Sequence, residues 1–87
     1  MPTYLVHRTV GELSEEDIRA SVERDREVRE QLPGVRWVRS YYSAGEGKLY
    51  CEYEAPSVEL LSEHAKKVGL PLDHATVVEN LEPSMFW

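Results

Sequence analysis

Residues 35–54 have the sequence VRWVRSYYSAGEGKLYCEYE, and the predicted fold class follows from them. Two runs rich in β-branched and aromatic residues, Val35–Ser43 and Lys48–Glu54, flank the short stretch Ala44-Gly45-Glu46-Gly47. Runs of this composition favour strands, and a short connection that contains glycine favours a hairpin. The sequence therefore predicts two antiparallel strands in the middle of the chain.

One strand and one helix are predicted on each side of this hairpin. The strand Thr3–Val10 precedes a helix that Ser14 caps and Pro33-Gly34 terminates. A helix from Ser57 to Gly69 and a strand at Ala75–Leu81 follow the hairpin. The order βαββαβ predicts a ferredoxin-like α+β fold, in which two helices cover one face of a four-stranded antiparallel sheet.

Length and composition restrict the protein to one small domain, predicted at residues 1–82, with residues 83–87 as a C-terminal tail. No apolar run approaches the roughly 18–20 residues that span a bilayer, so no membrane partner is expected. The formal charge of -6 argues against nucleic acid. A single cysteine, Cys51, excludes an internal disulfide and favours a reducing, cytoplasmic location.

Apolar or aromatic side chains occupy both alternating sets of positions in the predicted strands. In the second strand, strict alternation places Trp37 and Tyr41 on one face and Val38 and Tyr42 on the other. Because a sheet with one hydrated face should alternate apolar with polar residues, the second face is expected to be covered as well. We expect a homodimer that packs sheet on sheet as a dimeric α+β barrel, with a shared cavity between the sheets.

Five segments resemble a family of small bacterial ferredoxin-like proteins, most of them uncharacterised, whose described member binds nickel. The segments are Tyr4–Arg8, Gly34–Tyr41, Tyr50–Pro56, Glu63-His64-Ala65 and Gly69–Asp73, so the resemblance spans nearly the whole chain. It implies the ferredoxin-like fold, a dimer and a divalent metal ion, nickel in particular.

Two positions depart from the pattern that this resemblance implies. His7 stands where an acidic residue is expected before Arg8, and Arg39 stands where a histidine is expected before Ser40-Tyr41. One imidazole is therefore lost and another gained, so a metal site is expected to be moved or weakened relative to the family.

The predicted metal ligands are His7, Cys51 and His64, with Glu52 as a carboxylate that assists them. Imidazole and thiolate suit nickel, zinc or copper. No two histidines are spaced i, i+4, so any site must be assembled by the fold or across a dimer. His74 is interpreted as a solvated edge residue.

Asp25 lies near the apolar stripe of the first helix, where an unpaired carboxylate would be costly. It is expected either to form an ion pair with Arg8 or another basic group, or to line a pocket under the helix.

The first functional hypothesis is a protein that binds a divalent metal and has no catalysis or organic cofactor of its own, since no cofactor fingerprint occurs. The second is a monooxygenase- or isomerase-like enzyme, or a binder of a small molecule, that uses the cavity between the sheets. There His7 or Glu52 would serve as acid-base group and Arg8 or Arg39 would hold an anion. Further residues assigned to the cavity or to ion pairs are Asp25, Tyr41 and Tyr42. The third hypothesis is a dimeric interaction module without a small ligand.

Overall fold

The computed structural model describes all 87 residues. Its elements are β1 (Thr3–Thr9), α1 (Glu15–Gln31), β2 (Arg36–Ser43), β3 (Lys48–Glu54), α2 (Val58–Val68), β4 (His74–Val78) and a short 3-10 turn (Pro83–Met85). The four strands form one sheet in the order β2-β3-β1-β4, and all neighbours are antiparallel. This topology confirms the predicted ferredoxin-like α+β fold.

Both helices begin at serine caps, as the sequence predicts. Before α1, the Ser14 hydroxyl accepts a hydrogen bond from the Asp17 amide at 3.1 Å, and the Asp17 carboxylate accepts one from the Ser14 amide at 3.0 Å. Hydrogen bonding of the Asp17 carboxylate to the Ser14 backbone amide, and secondarily to the Ser14 side chain, lowers the pKa of Asp17, because it favours the charged form. Ser57 caps α2, and Gly69 ends it in the left-handed conformation, with φ of 84°.

The core lies between the helices and one face of the sheet, which we call the covered face. Tyr4 and Val6 of β1 and Cys51 and Tyr53 of β3 point to this side and are buried against Leu61 of α2. The residues between them in sequence point to the other side, which we call the open face. A β-strand alternates its side chains, so each chemical group in the sheet belongs to one of these two faces.

A β-bulge at Val38 changes the alternation of β2. Trp37 pairs with Tyr53, yet the next paired residue is Arg39, which lies opposite Glu52. Two steps along β2 therefore correspond to one step along β3, and the side chains after the bulge are reversed in direction.

The bulge makes the predicted arrangement of β2 wrong. Trp37 and Tyr42 share the covered face, because both line a cavity beneath α1. Tyr41 pairs with Tyr50 on the open face and is 61% exposed. Strict alternation fails because it assumes a one-to-one register between β2 and β3.

The open face carries no helix, and its side chains include Leu5, Tyr41 and Tyr50. Leu5 and Tyr50 are half-buried although no helix covers this face. The expected second copy of the chain remains a prediction. Neither helix is long and apolar enough to cross a membrane.

Gly47 connects the β2–β3 hairpin to the loop that leads into α1. Its carbonyl accepts hydrogen bonds from the amides of Val10 at 2.9 Å and Gly11 at 3.0 Å. Its φ is 65°, and a Cβ at this position would lie 3.1 Å from the Gly11 Cα. Glycine is therefore required here by both backbone conformation and space.

We expect Gly47→Ala to lower the free energy of unfolding by about 1–3 kcal/mol, because a side chain must adopt a left-handed conformation against neighbouring backbone. The matched control is Gly45→Ala in the same turn, where no atom lies within 4 Å of an added Cβ. This control should change stability by less than about 0.5 kcal/mol. Urea denaturation of both variants tests the difference, and equal stabilities would contradict the assigned role of Gly47.

Candidate functional site

Two histidines from distant parts of the sequence meet on the open face. His7 of β1 lies directly opposite His74 of β4 in the strand register. Their ring centres are 5.2 Å apart, with an angle of 55° between the planes. Tyr50 contacts His7 edge to face on its other side, at 5.4 Å between centres. The pair lies at the β4 edge of the sheet, where the rings are accessible from solvent.

The spacing of this histidine pair fits one transition-metal ion. Metal–nitrogen bonds of about 2.1 Å, with an angle of about 90–110° at the metal, place two bound imidazole centres about 4.5–5.3 Å apart. The observed 5.2 Å lies within that range. Only two imidazoles contribute, and no group of three or more His, Cys, Asp or Glu side chains that could hold a metal ion occurs in the chain. An ion bound here would complete its coordination with water or with donors from another molecule.

Hydrogen bonding at the pair leaves ring nitrogens for a metal. His74 Nε2 lies 2.6 Å from the Thr76 hydroxyl oxygen, which orients that ring. Neither nitrogen of His7 has a partner within the chain, since the remaining hydrogen-bonded histidine nitrogen is His64 Nε2. The strands therefore position the pair, and both ring nitrogens of His7 and Nδ1 of His74 have no hydrogen-bond partner in the chain.

The four ligands predicted from the sequence lie on two sides of the sheet. His7 and Glu52 are on the open face, whereas Cys51 and His64 are on the covered face, 3% and 0% exposed. The sheet itself separates these two pairs, so the four side chains do not converge on one ion. Cys51 and Glu52 are adjacent in one strand, and adjacent strand residues point in opposite directions.

Arginine side chains on β2 engage the glutamates on the open face of β3. Arg39 Nε lies 3.4 Å from the Glu52 carboxylate, and Arg36 pairs with Glu54 in the same way. Glu52 would therefore have to leave its ion pair with Arg39 in order to bind a metal ion, as the sequence predicts. Arg39, predicted to hold an anion, has this carboxylate as its partner.

Asp25 of α1 is the centre of a buried polar cluster on the covered face. One carboxylate oxygen accepts from His64 Nε2 at 2.7 Å and from the Tyr53 hydroxyl at 3.3 Å, and the other accepts from Arg29 Nε at 2.6 Å. Burial alone would raise the pKa of Asp25, but the hydrogen bonds from His64 and Arg29 outweigh it and hold the pKa below its usual value. Asp25 is therefore ionised, and the His64 Nε2 carries the proton in this bond.

Arg8 is not the partner of Asp25, although the sequence suggested this pair as one option. Its guanidinium is 1% exposed and donates to the Pro71 carbonyl at 2.7 Å. It also lies 6.0 Å from the centre of the Tyr53 ring. Burial is the main cause that raises the pKa of Tyr53, with the nearby Cys51 and Asp25 adding to it, so the hydroxyl stays protonated as a donor.

An apolar cavity lies next to this cluster, between α1 and the covered face. Asp25 and Tyr42 line it, whereas Arg39 and Tyr41 lie on the opposite face of the sheet. The residues assigned to one shared cavity are thus divided between two environments. The bulge in β2 and the alternation of the strands cause this division.

The sheet order and the two helices on one face define the ferredoxin-like class of α+β proteins, here with paired imidazoles on the open face. The chain belongs to the SCO4226-like family of nickel-responsive proteins, since the family model "Nickel responsive protein SCO4226-like" matches residues 4–78. This match confirms the resemblance seen in the sequence.

The crystal structure of SCO4226 from Streptomyces coelicolor A3(2) is similar to this chain, with a TM-score of 0.80 at 17% sequence identity. The alignment covers 92% of this chain and 99% of that one. At this identity the similarity supports the shared fold. None of the curated proteins that were compared matches the chain.

His74 is the residue of the pair that the sequence interpretation missed. The sequence predicts a solvated edge residue at this position, and His74 is exposed. Its partnership with His7 depends on the register between β1 and β4, which are joined by the whole of the chain between them. No local spacing encodes that register, although the predicted βαββαβ order does place the first and last strands side by side.

We expect Asp25→Asn to lower the free energy of unfolding at neutral pH by about 2–4 kcal/mol, because it leaves Arg29 without its counter-ion and weakens the buried hydrogen bond from His64. The stabilisation from Asp25 is fully present above its unfolded pKa of about 3.9 and is lost as the pH falls through the lower folded pKa. The difference between wild type and variant should therefore narrow between about pH 5 and pH 3.

Urea denaturation at three pH values measures this difference. The matched control is Glu16→Gln, which removes an exposed carboxylate from the same helix and should cost less than about 0.5 kcal/mol. A stability gap for Asp25→Asn that stays constant down to pH 3 would argue against an ionised Asp25 in the folded protein.

Proposed function

We propose that this protein binds a divalent transition-metal ion, nickel in particular, through the imidazoles of His7 and His74. The observation that carries the proposal is the cross-strand pair itself, with ring centres 5.2 Å apart on an accessible edge of the sheet. Two neutral imidazoles are ligands of the intermediate softness that nickel, copper and zinc prefer.

The family supports nickel as the ion. Its description is that of a nickel-responsive protein, and the family match covers both His7 and His74. Metal binding requires the imidazole nitrogens to be free of protons, so the affinity falls as the pH is lowered. The family description and the His7–His74 pair thus support the same function, which is metal binding.

The proposed role is binding of the ion without catalysis. Catalytic metal sites lie in cavities that exclude water and position further polar groups around the substrate. His74 is exposed and His7 half-buried, and the apolar cavity of the protein lies on the opposite face of the sheet. The surroundings of the pair resemble those of a surface site for reversible binding.

A homodimer that packs through the open face is the second part of the proposal. Leu5, Tyr41 and Tyr50 form an apolar surface there, and the ion pairs Arg39–Glu52 and Arg36–Glu54 lie beside it. In a two-fold dimer each subunit would present the same arginines and glutamates to its partner. The positive groups of one copy could then face the negative groups of the other, as a self-complementary contact requires. A second copy would also be a source of further metal ligands.

We place this dimer in the cytoplasm. The lone Cys51 is a free and buried thiol, which suits a reducing compartment.

Calorimetric titration with Ni²⁺ tests the metal site. We expect wild type to bind with a Kd of about 1–100 µM, and His7→Ala or His74→Ala to weaken binding at least about tenfold, because each removes one of two protein ligands. Binding that survives both substitutions unchanged would refute the site.

His64 provides an internal control, since it is the third histidine and is fully buried on the covered face. Paramagnetic Ni²⁺ should broaden the ring NMR signals of His7 and His74 at low metal ratios and leave those of His64 sharp. If the signals of His64 broaden first, the ion binds on the covered face near Cys51 and the proposed pair is wrong.

Sedimentation velocity at micromolar concentration tests the dimer. The 10.0 kDa chain should sediment as a species of about 20 kDa. Tyr41→Asp should shift it to the monomer, because it places a charge in the proposed contact. Ala20→Asp adds the same charge at an exposed position of α1, on the helix side of the sheet, so it is the control and should remain dimeric. A monomeric wild type would remove the dimer from the proposal while leaving the metal titration interpretable.

A further inference from the structure

An apolar cavity of about 230 Å³ lies between the first half of α1 and the covered face of the sheet. Ile18 and Val22 of α1 form one wall, and Trp37, Tyr42 and Leu49 of β2 and β3 form the other. Ile18 and Val22 are 36% and 38% exposed, so the cavity is open to solvent along the helix. An accessible apolar cavity of this kind is typical of sites for small molecules.

Hydrogen bonds hold the helix away from the sheet at the near end of the cavity. The Tyr42 hydroxyl accepts from the Leu13 amide at 2.7 Å and donates to the Gly11 carbonyl at 3.2 Å. Tyr42 therefore acts as a spacer between β2 and the loop that starts α1.

A second set of hydrogen bonds fixes the far end, where Asp25 binds His64 and Tyr53. The buried residues of α1 are Asp25 and Val28, both in its second half, so no residue of the first half fills the space between the two attachments. Movement of α1 onto the sheet would break the hydrogen bonds of Tyr42 and Asp25, so the fold keeps the cavity open.

The polar groups in the wall already have partners within the protein. The Trp37 indole N–H donates to the Ser40 hydroxyl at 2.8 Å, and both oxygens of Asp25 accept hydrogen bonds. Tyr42 uses its hydroxyl as donor and as acceptor. The wall offers no free charge to a ligand, so a charged molecule would lose its hydration without compensation.

We propose that this cavity binds an uncharged aromatic or alicyclic molecule of about ten to twelve heavy atoms, the size that fills the cavity at the packing density of a protein interior. The molecule would lie against the rings of Trp37 and Tyr42 with α1 above it. The site is on the opposite side of the sheet from His7 and His74, so it is independent of the proposed metal function.

The chain contains a built-in reporter, because its two tryptophans lie in different places. Trp37 lines the cavity and Trp87 is 90% exposed at the C-terminus. In a titration with 1-naphthol followed by ¹H–¹⁵N NMR, we expect the Trp37 indole signal to shift saturably with a Kd of about 10–300 µM. The Trp87 signal should stay in place. Absence of a saturable shift of Trp37, or an equal shift of Trp87, would overturn the proposal.

Two charged analogues of similar shape test the chemical class. We expect 1-naphthoate and 1-naphthylmethylammonium to bind at least about tenfold more weakly than 1-naphthol, since neither charge finds a partner in the wall. Equal affinity of either analogue would show that the wall accepts a charge and would overturn the assigned class.

Val22→Phe should fill the cavity from the helix side and weaken 1-naphthol binding at least about tenfold. Ala20→Phe is the matched control, because it adds the same ring at an exposed position of α1 outside the cavity, and it should bind within about twofold of wild type. Equal binding by both variants would overturn the location. If Val22→Phe does not fold, two measurements on wild type still test the site. They are the shift of the Trp37 indole signal with 1-naphthol and the comparison of 1-naphthol with its two charged analogues.

Discussion

The buried carboxylate of Asp25 is the contact on which the arrangement of the helices depends. It joins α1 to α2 through His64 and to β3 through Tyr53, and Arg29 of the same helix balances its charge. A carboxylate out of contact with water is tolerated only when such partners satisfy it. Hydrogen bonds depend on distance and direction, so those of Asp25 set the position of α1 over the sheet. Apolar contacts alone would define this position less well.

The alternation of the strands divides the protein into two chemically different halves. The covered face holds the polar cluster, the buried Cys51 and the apolar cavity, and the open face holds the imidazole pair and the arginine–glutamate pairs. A sheet is one residue thick, so groups adjacent in sequence are separated by the whole layer. The proposed metal site and the proposed cavity ligand can therefore act independently, as two functions supported by one scaffold.

Much of the fold was predictable because its signals are local. The Ser14 and Ser57 caps, the glycine-rich connection of the hairpin and the stop at Gly69 each depend on a few neighbouring residues, and the structure has each of them. The faces of β2 were predicted wrongly because the bulge at Val38 leaves no local mark in a run of apolar and aromatic residues. The sequence indicates the candidate site only in part: of the predicted ligands His7 belongs to the histidine pair, whereas Cys51 and His64 lie on the other side of the sheet.

The order of strands and helices and the ferredoxin-like class can be predicted from the amino-acid sequence, because caps, turns and apolar patterns act over short distances. The relation to the nickel-responsive family is visible in the five segments that resemble it. The folded chain is needed to see that His7 lies opposite His74, that Arg29 rather than Arg8 balances Asp25, and that a cavity remains beneath α1. These contacts depend on the register of strands far apart in the chain and on the distance between a helix and the sheet. Neither quantity is set by any single stretch of residues.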